Sequence, residues 1–172
     1  LLGSLLEGNE DFFFKPNPEQ PVFRSLKAEA GRLLAELPAA GRDSYELQFG
    51  AQARQMLKQA AADSDLAQVG EVSRRFFFTH AGAEATFLLG RHYLDQNRPL
   101  AAALCFERLS ELPDVAGRLE PALSLSLASC WLRAGQRAKA QRTLVNLRRR
   151  QASDEVVVAG QSAELFNDPS QA

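Results

Sequence analysis

The sequence predicts an all-α fold built from helical hairpins. Through most of residues 22–150, apolar residues recur three and four positions apart, the spacing of one face of a helix. Turns at Ser64, Asn97 and Gly135 interrupt that pattern, each between two predicted helices. A helix pair cannot bury its apolar face alone, so we expect neighbouring pairs to stack on one another.

The composition is that of a globular domain. The chain has 172 residues, of which 45% are hydrophobic and 24% charged, and its net charge is -1. Such a charge argues against nucleic acid as a general partner. No apolar run approaches the length of a membrane span. The chain starts at Leu1 and not at a methionine, so we expect a piece of a longer protein.

The first residues predict a helix end and a connector. Leu1–Glu7 has the pattern of a helix, and the prolines of Glu10–Pro21 forbid a regular one. Phe12, Phe13 and Phe14 cannot all point the same way. We expect one or two of these rings to be buried beneath the connector, the alternative being an exposed patch for a partner.

Three further helices are expected before residue 78. The first, Val22–Leu37, has an apolar stripe of Phe23, Leu26, Ala30, Leu33, Leu34 and Leu37. The second, Asp43–Ala62, directs Tyr45, Phe49, Ala53, Met56, Leu57 and Ala60 inward. The turn Asp63-Ser64-Asp65 offers an N-cap for the third, Leu66–Phe77.

Two helix pairs follow. The first joins Ala81–Gln96 to Pro99–Leu112, with small residues, Gly90 and Ala102, where the helices are expected to cross closely. After an insertion, Asp114–Glu120, the second pair joins Pro121–Ala134 to Gln136–Arg150. Ala128 follows Gly90 by 38 residues, and the turn at Asn97 follows the one at Ser64 by 33, so three degenerate hairpins are predicted.

The tail has a different character. Val156–Val158 and Ala163–Phe166 predict a short β-hairpin, and Asn167-Asp168-Pro169 has the pattern of a helix N-terminus. We therefore divide the chain into a helix end with a Phe/Pro-rich connector (1–21), a helical-repeat domain (22–150) and a linker with the hairpin (151–172).

The order Leu89-Gly90, Tyr93, Ala102, Phe106 and then a proline resembles that of a tetratricopeptide (TPR) repeat. Residues 25–150, most clearly Ser73–Phe77 and Leu88–Leu104, are similar to the helical region of planctomycete-type proteins that carry a PQQ-binding-like (quinoprotein-like) β-propeller. The resemblance implies a TPR-like right-handed α-α superhelix, a scaffolding role and an exported or cell-envelope setting. No propeller blade motif is present, so the resemblance implies no cofactor for this chain.

In a TPR-like stack, the first helix of each pair lines a concave groove. The predicted groove positions are Glu84, Phe87, Arg91, Leu94 and Asp95, then Ala122, Leu125, Ser129, Leu132 and Arg133. The apolar members would form a floor, and the two arginines would offer forked donors to a carboxylate. The alternative is that all are ordinary surface and core residues. The lysine/asparagine clamp of chaperone-binding TPR domains is not matched.

No pattern indicates catalysis, a cofactor or a metal site. The two histidines, His80 and His92, have no further ligands at suitable spacing, and Cys105 and Cys130 form no CxxC pair. No phosphate-binding or nucleophile-elbow motif is present. We therefore expect a protein that is not an enzyme.

Basic residues are concentrated near the end of the helical region. Seven lie between Arg133 and Arg150, and no acid occurs from Pro121 to Ser153. Arg148-Arg149-Arg150 would interact favourably with the dipole at a helix end. The alternative is docking to an acidic partner, a phosphate-rich polymer or anionic lipids.

These patterns favour a non-catalytic scaffold that binds a protein, a peptide or a segment of its parent chain. One alternative is an accessory domain of an envelope quinoprotein-like enzyme whose chemistry lies elsewhere. Another is anion or nucleic-acid binding through Arg133–Arg150. The oligomeric state is not indicated.

Overall fold

The computed structural model describes residues 2–8, 10–150, 155–158 and 161–164, and most of them are helical. The prediction of an all-α fold is therefore confirmed. The chain forms two compact units, Leu1–His92 and Tyr93–Ala172. The predicted division at residues 21 and 150 stays a prediction.

The described residues of the first unit form four helices, most of a fifth, and one strand pair. Its elements are α1 (Leu2–Glu7), β1 (Phe13–Phe14), β2 (Arg24–Ser25), α2 (Leu26–Ala35), α3 (Ala39–Ala62), α4 (Leu66–Arg75) and α5 (His80–Asp95), whose last three residues belong to the second unit. Helix α1 packs on α2, and α3 packs on α4.

Aromatic side chains fill the core of the first unit. Five of the six predicted inward residues of α3 are buried, and Met56 is half-buried. The Tyr45 and Phe49 ring centroids lie 4.7 Å apart, and the Phe78 ring meets Tyr45 edge-on at 6.5 Å. Phe76, directly after α4, has no exposed surface. The helix predicted to end at Phe77 thus ends at Arg75, and Phe76, which follows it, belongs to the core.

A network of hydroxyl groups fixes the start of α5. The Thr79 hydroxyl accepts a hydrogen bond from the Gly82 N–H at 3.0 Å, as an N-cap does, and donates one to the Phe76 carbonyl at 2.8 Å. The Thr86 hydroxyl donates to the Gly82 carbonyl at 2.8 Å and lies 2.7 Å from the Ser73 hydroxyl. The buried hydroxyls are thus satisfied.

The predicted start of the helix Val22–Leu37 is wrong. Helix α2 begins at Leu26 and not at Val22, because the Ser25 hydroxyl caps it by accepting from the Ala28 N–H at 2.9 Å. Ser25 also belongs to β2, which pairs with β1. Phe23 is therefore outside the helix and 60% exposed.

The inward face of α2 is narrower than predicted. Ala30 and Leu34 are buried and Leu26 is half-buried, whereas Leu33 is 40% exposed. The helix ends at Ala35, so the predicted last residue, Leu37, lies outside it and is half-buried. Of the three connector rings, one or two of which are expected to be buried, none is fully buried. Phe12 is 61% and Phe13 67% exposed, and Phe14 is half-buried. The exposed-patch alternative agrees better with these values.

The second unit is built around one central helix. Its elements are α6 (Pro99–Ser110), α7 (Pro113–Leu119), α8 (Ala122–Arg133), α9 (Arg137–Arg150), β3 (Glu155–Val158) and β4 (Gln161–Glu164). Helix α8 packs against both α6 and α9. The fully or almost fully buried side chains of these helices include Ala102, Phe106, Leu109, Leu123, Trp131 and Leu147. The predicted insertion forms α7, which starts at Pro113, a favourable first position for proline.

The same turn geometry occurs three times. Ser64, Asn97 and Gly135 each follow the end of a helix and have positive φ angles of 53°, 56° and 75°. In each turn the next N–H donates to a carbonyl five residues back, from Asp65 to Ala60, Arg98 to Tyr93 and Gln136 to Trp131, at 2.7–2.9 Å. These are the bonds of a left-handed helix cap. The predicted turn positions are confirmed.

The predicted tail hairpin is confirmed with a shift. Strands β3 and β4 pair antiparallel, with Val158 opposite Gln161. The second strand begins at Gln161 and not at Ala163, so its predicted start is wrong. Phe166 and the predicted helix start at Asn167–Pro169 lie outside the described residues.

Candidate peptide-binding faces

The predicted groove positions of α8 share one exposed face. Successive helical residues turn by about 100°, which places these five on the side opposite the buried Leu123 and Leu127. Leu125 is 36% and Leu132 54% exposed. The five positions, all exposed, are Ala122, Leu125, Ser129, Leu132 and Arg133.

Arg133 is held by the turn that precedes α6. One terminal nitrogen of its guanidinium, Nη2, donates to the Asn97 Oδ1 at 2.9 Å. Asn97 is the left-handed residue of that turn. This contact uses one of the five N–H donors of the guanidinium, and Arg133 stays exposed. A cation is thereby fixed beside Leu132.

In the first unit, α5 has an exposed face of mixed character. Glu84 and Arg91 are exposed, and Phe87 beside them is half-buried. Leu88, which sequence reasoning did not include, is 40% exposed on the same face. In the second unit, at the end of the same helix, Leu94 is half-buried and Asp95 exposed.

Glu46 binds the start of α5, a role that sequence reasoning missed. Its Oε2 accepts from the His80 backbone N–H at 2.9 Å, and its Oε1 lies 3.4 Å from the His80 Nδ1 and accepts from Arg54 Nη1 at 2.7 Å. A Cβ at Gly50 would lie 2.2 Å from the Glu46 Oε1, so this glycine leaves room for the carboxylate. The one local signal was the Glu46/Gly50 spacing of four.

The two cysteines are held in apolar surroundings. Cys105 on α6 is half-buried, and Cys130 on α8 has no exposed surface. Burial raises the pKa of both thiols, although Arg108 and Arg133 respectively oppose this rise. At neutral pH both groups are therefore protonated, the less nucleophilic form.

A cavity of about 320 Å³ lies where α1, the connector and α2 meet. The Asp11 carboxylate at its edge accepts from the Ser25 hydroxyl at 2.6 Å and from the Lys27 N–H at 3.1 Å, and these bonds lower its pKa. The lining residues are Leu5, Gly8, Glu10, Asp11, Phe12, Leu26 and Lys27. No sequence pattern predicts this cavity, because its walls come from separated segments.

Among the described residues, histidine, cysteine and carboxylate side chains form no group of three or more that could hold a metal ion. No helix in this part of the chain combines the length and apolar character needed to cross a bilayer.

Comparison with known proteins finds no matching family model, no matching curated protein and no matching solved structure. The resemblance to TPR-containing, propeller-associated proteins therefore stays a prediction. The geometry of the α5 and α8 faces is the basis for a functional conclusion.

Proposed function

We propose that this chain is a non-catalytic interaction module, with TPR-like helical hairpins, that captures a peptide or a segment of its parent chain. The observation that carries the proposal is the exposed face of α8. There, two leucines seven residues apart lie beside an arginine whose position is fixed by Asn97.

The α8 face has the chemistry that peptide capture needs. Leu125 and Leu132 lie on the same side of the helix about 10.5 Å apart along its axis. They can pack against apolar side chains of a ligand, with Ser129 between them as a hydrogen-bonding group. The Arg133 guanidinium can bind a carboxylate with its remaining donors. Because α8 packs against α6 and α9, this face is displayed on a rigid support.

The repeated turns support the TPR-like architecture. Ser64, Asn97 and Gly135 occur at intervals of 33 and 38 residues, and each is followed by the same capping hydrogen bond. An interval near 34 residues is that of a TPR repeat. Helix α7 accounts for the longer second interval, since it lies between α6 and α8.

The α5 face of the first unit offers the same kinds of group. Arg91 is its cation, and Phe87 and Leu88 are its apolar contacts. Glu46 fixes the start of this helix. We propose that α5 also contacts ligands through this face.

Selection from a phage-displayed library of random peptides tests the proposal. The selected peptides should bind the wild-type protein with a Kd tighter than about 100 µM. The double variant Leu125→Ser/Leu132→Ser should lose on the order of 2 kcal/mol of apolar contact. That loss corresponds to roughly 30-fold weaker binding in fluorescence anisotropy.

Two other leucines provide the matched control. Leu100 and Leu104 on α6 are 56% and 59% exposed, so Leu100→Ser/Leu104→Ser removes the same amount of apolar side chain elsewhere. This control should bind within about twofold of wild type, and both variants should keep the helical circular dichroism spectrum. Failure to select any peptide, or equal losses in the two double variants, would contradict the proposal.

A further inference from the structure

The outer side of α9 carries a regular stripe of arginine and small apolar residues. Ala140 and Leu147, seven residues apart, are buried and define the inner side of the helix. Ala138, Arg142, Val145 and Arg149 lie on the opposite side, and all four are exposed, Val145 by 43%. Both Ala138/Val145 and Arg142/Arg149 are spaced by seven. We call these four residues the α9 stripe.

The two arginines of the stripe are not used inside the part of the chain that the structure describes. Lys139, by contrast, lies 3.9 Å from the Trp131 ring centroid and 3.9 Å from Glu107 Oε1. Arg133 is bound to Asn97. Within the described residues, Arg142 and Arg149 form neither a hydrogen bond nor an ion pair. They are therefore available to a partner.

Charge is segregated along the chain. Residues 121–153 carry seven basic residues and no acid, whereas the whole chain has a net charge of -1. The remaining residues therefore carry a net charge of -8. A basic surface of this kind attracts an acidic partner and repels a basic one, which gives specificity as well as a faster approach.

We infer that the α9 stripe docks an acidic amphipathic helix of another protein. A spacing of seven keeps residues in register with a second helix that packs alongside the first. Ala138 and Val145 would meet apolar side chains of that helix. Arg142 and Arg149, about 10.5 Å apart along the axis, would pair with carboxylates on successive turns. This surface lies on a different helix from the α8 face and does not depend on it.

The apolar half of the stripe distinguishes an acidic helix from other anions. A phosphate polymer would use the arginines but gain nothing from Val145. Stacking of nucleic-acid bases needs aromatic side chains, and the stripe has none. Binding to a lipid surface needs a broad face of large apolar residues, whereas this stripe offers one valine and one alanine.

A synthetic helix serves as the probe. The peptide has three seven-residue repeats, each with leucine on one face and glutamate beside it, and poly-L-glutamate provides charge without the apolar face. Calorimetric titration should show that the helix binds more tightly than poly-L-glutamate, and more weakly as salt is raised. Arg142→Glu/Arg149→Glu should weaken this binding about tenfold or more, and Val145→Ser should weaken it less.

The double variant Lys58→Glu/Arg118→Glu is the charge-matched control. Both of its residues are exposed and lie outside α9, and it changes the net charge by the same amount. It should bind within about twofold of wild type. The inference is overturned if poly-L-glutamate, inorganic polyphosphate or phosphatidylglycerol vesicles bind as tightly as the helix. It is also overturned if Arg142→Glu/Arg149→Glu binds like the control while its helicity is intact.

Discussion

At the residue scale, Gly82 lies where the backbone of α5 approaches the preceding turn. A Cβ at this position would be 1.8 Å from the Phe76 carbonyl oxygen and 2.8 Å from the Phe77 nitrogen. Both atoms belong to the main chain, so no side-chain rotation can relieve the overlap. Phe76 is itself fully buried, which leaves the turn no direction in which to move freely.

We therefore expect Gly82→Ala to destabilise the protein by roughly 2–4 kcal/mol, because the added methyl group forces the backbone apart. The Thr79 cap, which uses the Gly82 N–H, should weaken with it. Urea denaturation followed by circular dichroism measures the loss. A variant with wild-type stability would contradict the close approach.

Gly70 provides the control for this substitution. It lies inside α4, and a Cβ added there meets no described atom within 4 Å. Alanine is the better helix former by about 0.5–1 kcal/mol. Gly70→Ala should therefore stabilise the protein by about that amount in the same denaturation experiment. Changes of opposite sign in the free energy of unfolding at Gly82 and Gly70 would distinguish steric overlap from helix propensity.

At the element scale, the helix-joining turns at Ser64, Asn97 and Gly135 share one geometry but not one residue type. Ser64 adopts a left-handed conformation that disfavours a side chain, whereas Gly135 adopts it without strain. Asn97 tolerates the same conformation and also binds Arg133. The turn between α5 and α6 therefore combines a structural role with the positioning of a candidate binding residue.

Substitutions in two of these turns should have opposite effects. Gly135→Ala should destabilise the protein by about 1 kcal/mol, since only the backbone conformation opposes the methyl group. An added Cβ there meets no described atom within 4 Å. Ser64→Gly should stabilise it by about 0.5 kcal/mol, because the left-handed strain is removed. Thermal unfolding tests both substitutions. Changes in Tm of the same sign for the two variants would contradict the shared turn geometry.

Asp11 joins the connector to the start of α2 by hydrogen bonds, and the stability that these bonds provide should depend on pH. Hydrogen bonds from Ser25 and from the Lys27 N–H hold the Asp11 pKa below its usual 3.8. The folded state then binds the proton less tightly than the unfolded state. The contribution of the ionised Asp11 carboxylate to stability is therefore present above about pH 4 and is lost as the pH falls through the lowered pKa.

Comparison of wild type with Asp11→Asn tests that dependence. The wild-type protein should have the higher Tm at pH 7, because only its ionised carboxylate accepts both hydrogen bonds at full strength. The difference should shrink as the pH is lowered from 4 towards 2. A difference that is constant over this range would show that the Asp11 charge does not fasten the connector.

Sequence reasoning placed most helices well because their ends depend on local signals. The turn Asp63-Ser64-Asp65 supplies the cap of α4 as predicted, since the Asp65 carboxylate accepts from the Gln68 N–H at 3.1 Å. The start of α2 was misplaced because Phe23 has the correct spacing for the apolar stripe, although Ser25 is the actual cap. The pairing of β1 with β2, which takes Phe23 out of the helix, joins residues 10 to 12 positions apart. Helical periodicity does not report such a contact.

At the scale of the whole molecule, the contacts that shape the candidate sites connect distant parts of the chain. The bond from Arg133 to Asn97 spans 36 residues, and that from His80 to Glu46 spans 34. A sequence pattern could place each α8 residue on a face, since that requires helical periodicity alone. It could not show which partner fixes Arg133. A sequence pattern likewise could not decide that the rings of Phe12 and Phe13 are exposed, because their burial depends on the packing of the whole connector.

An NMR titration of the protein with a peptide selected from the library shows which residues of the second unit the peptide contacts. The largest amide shift changes within this unit should fall on α8 at Leu125, Ser129, Leu132 and Arg133, with Asn97 affected through Arg133. The exposed α6 residues Leu100 and Leu104 should change little. Largest changes on α6, or none on α8 while the peptide is bound, would show that the α8 face is not the binding site.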